Sequence, residues 1–200
     1  MQEIAPGLFH WSVRHPAIDA EVSSYYLRDA RVAIDAMVPP EGIDWFARVG
    51  PPEHVVMTNR HHDRDAWRLR EAFGCTVHCP RAGLHEVAGR GPAEGFDPGD
   101  SLPGGIEVHG VGAICPDETA LHLPALRALA VADGIVRWPG VDGLAFVPDA
   151  LMDDPEGTRA GLRAAYGRLL ALEPEMLLLA HGAPVEAGAR DVLAGFLGRR

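Results

Sequence analysis

The stretch from Glu53 to Trp67, EHVVMTNRHHDRDAW, constrains this chain more than any other. Val55, Val56 and Met57 make a short apolar run of strand type that closes at Thr58 and Asn59. Arg60, His61, His62, Asp63, Arg64 and Asp65 follow with no hydrophobic residue among them. DAWRLREAF then sets Ala66, Leu69 and Phe73 near helical spacing. A buried strand that opens into a charged loop and then a helix is where an α/β protein presents a reactive site.

The rest of the chain reads as a frame for that loop. GLFHWSV (7–13), VSSYYL (22–27) and RVAIDA (31–36) read as three successive strands, the last ending at Asp35. Pro39 and Pro40 open a short helix through Trp45 and Phe46, which Gly50-Pro51-Pro52 stops. After Gly74 a strand over CTVHC (75–79) is expected, then a helix begun by Pro80 that covers Leu84 and Val87. Residues 89–104 are rich in Gly, Pro and Asp and read as loop, the seam between two halves of one domain spanning 1–200. Strands return in GIEVHGV, GAICPDETALHLP and RALAVADGIVRW, the last two as a hairpin. Residues 155–174 give the clearest helix, with Leu162, Tyr166, Leu169 and Leu170 on one face. MLLLA (176–180) is a fully buried strand delivering His181-Gly182, and a helix over 184–198 closes the chain.

Composition removes several functional classes. A formal net charge of -10 argues against a nucleic-acid backbone as partner. No run of 18 apolar residues exists, so no membrane span is expected. The N-terminus carries neither a basic start nor an apolar signal core, and the chain reads as cytoplasmic. All 18 basic residues are Arg, which removes Schiff-base chemistry and the phosphate-loop lysine. None of the four serines sits in a G-x-S-x-G elbow. Cys75, Cys79 and Cys115 are an odd set of free thiols; His78 between the first two points to the other face of a strand, which speaks against a soft-metal cluster there.

Thr58 to Arg64 resembles the H-x-H-x-D-H signature of the metallo-β-lactamase superfamily, which also follows a strand directly. Asn59 stands for the first His, His61 for the second, Asp63 for the Asp and Arg64 for the last His. The resemblance implies a mixed α/β fold, a four-layer αββα sandwich. It also implies a metal centre with further ligands in the second half: Ala132-Asp133 keeps a bridging carboxylate and His181 keeps the final imidazole, whereas Ala113 stands where a Gly-His step is expected. Asp35 fills the place of an Asp near the metals, with a strand-end cap as the plainer account. The string T-N-x-H-x-D-R is similar to that of the mononuclear subclass of the β-lactamases, although that subclass has Cys in place of Asp133 and keeps the Gly-His histidine.

Two readings follow for function. In the first, Asp63, Asp133 and His181 hold one divalent metal (Zn²⁺, Mn²⁺ or Fe²⁺) with an open position, and His61 is a further ligand or the general base of a hydrolase for a small ester, lactone or thioester. His62 alternates away from the ligand face. Asp117 or Glu118, in Cys115-Pro116-Asp117-Glu118, is a candidate compensating ligand, against the plainer account of an acidic turn. In the second, Arg64 pairs inward with Asp63 or Asp133, replaces the missing cation, and leaves a metal-free binding or regulatory protein. Either way the expected partner is a small-molecule substrate or ligand, with no nucleic acid and no membrane; a homodimer is left open.

Overall fold

The computed structural model describes residues 1–138 and 140–199. Its first sheet runs β1 (Gln2–Ala5), β2 (Leu8–His15), β3 (Ala20–Leu27), β4 (Val32–Ile34), β5 (His54–Val56), β6 (Thr76–Pro80) and β7 (Glu94–Phe96), in that spatial order. The first four strands pair antiparallel and the rest parallel. The second sheet has β8 (Ser101–Leu102), β9 (Ile106–Gly110), β10 (Thr119–Leu123), β11 (Ala128–Val131) and β14 (Met176–Leu179), ordered β14-β11-β10-β9-β8. Only its β11–β14 pair is parallel. Between them in sequence, β12 (Ile135–Val136) and β13 (Ala145–Phe146) form a separate small hairpin.

Side-chain alternation builds the layers. Leu8, Tyr25, Ile34 and Val56 from the first sheet meet Ile106, Val108, Leu121 and Leu178 from the second in one buried cluster. The opposite faces of the same strands are apolar too, which is why the parallel strands read as continuous hydrophobic runs. Tyr26, Ala33, Val55 and Val77 face Trp45 and Phe46 of α1 (Asp44–Val49) and Leu69 of α2 (Ala66–Phe73), with Val87 of α3 (Leu84–Val87) in the same cluster. On the far side, Leu129, Val131, Leu177 and Leu179 face Leu162, Tyr166 and Leu169 of α4 (Pro155–Leu169) and Leu193 and Phe196 of α5 (Ala189–Leu197). The result is the αββα sandwich.

Local signals account for most boundaries. Asp154 caps α4 by accepting from the Gly157 amide at 3.1 Å, with Pro155 at the first helical position. Gly74 ends α2 in the left-handed conformation, φ 71°. The structure corrects the sequence reading of 89–104 as loop, because both β7 and β8 fall within it. Strands of three and two residues leave no readable alternation. The chain crosses from one sheet to the other at residues 97–100, where Asp100 accepts from the Asp97 amide at 2.8 Å. GAICPDETALHLP likewise contributes a strand only from Thr119, the preceding residues forming turns. Among the described residues no helix is long and apolar enough to cross a membrane.

Candidate metal centre

Two parallel pairs of strands, one in each sheet, end beside one another, and each strand delivers one residue just past its last paired position. β4 delivers Asp35, β5 delivers Thr58, β11 delivers Asp133 and β14 delivers His181. Backbone bonds lock the two sheets together there. Thr119 donates to the Thr58 carbonyl from its amide (2.9 Å) and its hydroxyl (2.7 Å). The Ser23 amide donates to the Ala180 carbonyl at 2.9 Å, and the Tyr25 hydroxyl to that of Leu179 at 2.8 Å.

The loop after β5 turns at once. Asn59, extended at φ -153°, accepts from the His61 amide at 2.9 Å and caps a 3₁₀ turn over Arg60–His62. That turn corrects the assignment of His61 as the inward imidazole. His62 is buried and its Nε2 lies 3.2 Å from Asp133 Oδ1; His61 is exposed and only lines the mouth of the pocket. His181 Nε2 meets the same Asp133 oxygen at 3.1 Å, and Asn59 Nδ2 donates to the other at 2.8 Å. One donor atom from each of His62, Asp133 and His181 lies within 4.8 Å of the other two.

Behind His62 stands Asp35. Its Oδ2 is 2.9 Å from His62 Nδ1 and 2.6 Å from Thr58 Oγ1, and its Oδ1 accepts from the Thr58 amide at 2.8 Å. Asp35 itself has φ 45°, a left-handed conformation uncommon for a residue with a side chain and held here by these contacts. Burial alone would lower the His62 pKa, but the flanking carboxylates of Asp35 and Asp133 raise it from 6.5 to about 9. For Asp133 burial pushes upward, and the imidazoles of His62 and His181 nevertheless hold it well below the usual carboxylate range.

The remaining assigned residues lie elsewhere. Asp63 turns out of the cluster: its Oδ2 pairs with Arg90 at 3.2 Å and its Oδ1 accepts the Arg64 amide at 2.9 Å. Arg64 points inward but meets no carboxylate, contrary to the expected pair with Asp63 or Asp133. Its guanidinium donates to the backbone carbonyls of Ser23 (2.5 Å), Asp35 and Ala180 (3.2 Å), bridging the two sheets. Ala113 faces Gly161 of α4 rather than the pocket rim, where Ile114 lies instead. Asp117 is taken up by the Arg60 guanidinium and accepts the Arg60 amide at 2.7 Å. Glu118 accepts from the Gly134 amide at 2.8 Å, and burial raises its pKa from 4.5 to about 7. Burial and the adjacent Asp117 push the Cys115 thiol up, so it is no reactive thiolate.

The cluster opens into a cavity of about 520 Å³. Its walls are mainly apolar, with Val22, Ile114, Val136, Trp138, Val147 and Leu151, and His15 and His61 add polar groups. Two imidazoles and one carboxylate beside an open cavity suit a divalent cation, being a donor set of zinc hydrolases and of non-haem iron sites.

No protein-family model and no curated protein matches this sequence. Solved structures do match. A metallo-β-lactamase from Pontibacter korlensis superposes with a TM-score of 0.71 at 14% identity, covering 100% of this chain and 98% of that one. The DIM-1 metallo-β-lactamase gives 0.70 at 15% identity, over 98% and 95%. TTHA1623 in a di-iron-bound form gives 0.59 at 21% identity, over 88% of each chain. The likeness runs through the whole sandwich, and this chain has the metallo-β-lactamase fold.

Proposed function

We propose that the protein is a mononuclear metal-dependent hydrolase of a small ester, lactone or thioester with an apolar acyl or alkyl part. The observation that carries this reading is the convergence of His62 Nε2, Asp133 Oδ1 and His181 Nε2 at the floor of an apolar-walled cavity. His62, Asp133 and His181 would hold a divalent cation, which would supply Lewis acidity and activate water there. The chain supplies the rest. Asp35 and Thr58 orient His62 through Nδ1, which fixes Nε2 towards the cavity. Val22, Val136 and Leu151 bind the apolar part of the substrate and exclude bulk water. His61, exposed at the mouth, is placed to pass a proton between substrate and solvent.

One observation favours a metal-free binding protein instead. Asp133 already accepts from Asn59 and meets two imidazoles, so its charge is compensated without a cation. The deciding experiment is zinc, manganese and iron titration of tag-free, chelator-treated protein, followed by assay against ester, lactone and thioester series of increasing alkyl length. Loss of one metal equivalent in His181→Ala, together with metal-dependent turnover rising with alkyl length and absent from that variant, supports the hydrolase. Unchanged uptake in His181→Ala, or none in wild type, overturns it in favour of the binding protein.

A further inference from the structure

A second group of ligand-type side chains lies on the outer face of the five-stranded sheet, apart from the cluster just described. Glu107 and His109 are two residues apart on β9 and share a face; His122 on β10 sits directly opposite Glu107 in the register. Ala120, opposite His109 and of the same parity as His122, packs into the outer core beneath α4 and α5. Val108 and Leu121, of the other parity, point into the space between the sheets. The three polar side chains therefore face outwards, on the part of the sheet towards its β8 edge.

Their geometry exceeds that of a cross-strand ion pair. His122 Nδ1 is 2.8 Å from Glu107 Oε2, and His109 Nε2 is 3.9 Å from the same oxygen. The donor atoms of all three lie within 4.8 Å of one another. His109 Nε2 is sequestered from solvent and has no hydrogen-bond partner among the described residues, a costly condition for an imidazole nitrogen that a bound ion relieves. The Glu107 side chain is 51% exposed, which leaves a side open for water ligands.

We propose that Glu107, His109 and His122 form a second, structural binding site for a zinc-type divalent cation, which ties β9 to β10. Two imidazoles and a carboxylate suit Zn²⁺ or its neighbours in the first transition row, and not Mg²⁺ or Ca²⁺, which prefer all-oxygen shells. Binding to the folded chain alone raises its thermal midpoint.

The test is zinc titration in competition with a chromophoric chelator, with zinc equivalents counted per chain. His109→Gln in the otherwise wild-type protein is expected to bind one equivalent fewer than wild type, whether or not the interior cluster takes metal. In the variant His181→Ala, which disables the interior cluster, one equivalent is expected to remain. Adding His122→Gln to that variant should weaken it at least ~10-fold. Zinc should raise the thermal midpoint of His181→Ala but not that of His181→Ala/His109→Gln, and the melting curves verify that each variant is folded. Equal zinc content in wild type and His109→Gln overturns the proposal, as does a His181→Ala protein that melts cooperatively yet binds no zinc. Loss of metal from the interior cluster alone leaves this outcome unaffected, so the two sites fail separately.

Discussion

Arg64, in the loop after β5, donates from Nη2 to the carbonyl of Ala180, 3.2 Å away at the end of β14. The same guanidinium reaches the carbonyls of Ser23 and Asp35, so one cation satisfies chain ends from both sheets. It holds φ 37° to do so.

Arg64→His is therefore expected to act on stability before it acts on metal. A shorter imidazole leaves two or more of these carbonyls unsatisfied, at a cost of about 3 kcal/mol. Urea unfolding of the chelator-treated protein measures this. Zinc affinity should not tighten tenfold, because the guanidinium hydrogen-bonds backbone carbonyls and pairs directly with no carboxylate; a tenfold tighter Zn²⁺ complex in Arg64→His would contradict the assignment.

Asp35→Asn tests the orientation of His62. The carboxamide keeps the shape but presents an N–H where a carboxylate oxygen now faces Nδ1. Zinc binding to the interior cluster is expected to weaken by about 10- to 100-fold. Calorimetric titration reads the change, and an unaltered affinity would show that Asp35 only caps its strand.

Glu118 gives a pH dependence. Its pKa is raised from 4.5 to about 7 by burial, so the folded state keeps a proton that the unfolded chain has lost. Between those two values stability falls as pH rises, by about 3 kcal/mol at most, and below 4.5 this contribution is flat. Glu118→Gln cannot titrate. The difference in urea midpoint between wild type and Glu118→Gln should therefore move in favour of the variant from pH 5 to pH 7.

Gly182→Ala should displace a site residue without touching a ligand. Gly182 has φ 96°, and an added Cβ would collide with the Arg137 carbonyl. The Arg137 amide in turn donates to the His181 carbonyl at 2.9 Å. Shifting this contact costs about 2 kcal/mol or more and moves His181 off Asp133. Thermal unfolding and zinc titration should both register the loss.

The frame was legible because long apolar strands and capped helices state themselves locally. The strand over 176–180, the helix from Pro155 and the βα unit at 53–73 all fall within a few residues of where the sequence puts them. His181 was legible as the residue delivered by an apolar strand and Asp133 through the family resemblance alone, and the structure brings them together at 3.1 Å. His62 was not. The H-x-H-x-D-H frame points to His61, whereas the Asn59 cap coils the next three residues and turns His62 inwards in its place. An Asn followed by residues of no strand propensity was the available signal for that turn. The destination of Arg64 lay beyond sequence reasoning, because its partners are backbone carbonyls distant along the chain.

The crossing at residues 97–100 has one more consequence. Asp35, Asn59 and His62 precede it and Asp133 and His181 follow it, so the interior cluster is shared between two lengths of chain, neither of which carries a complete set of donors. A nick between Asp97 and Asp100 would turn the cluster into a bond between fragments. The apolar cluster between the sheets would hold the two fragments, and His62 would meet Asp133 and His181 only in the reassembled pair.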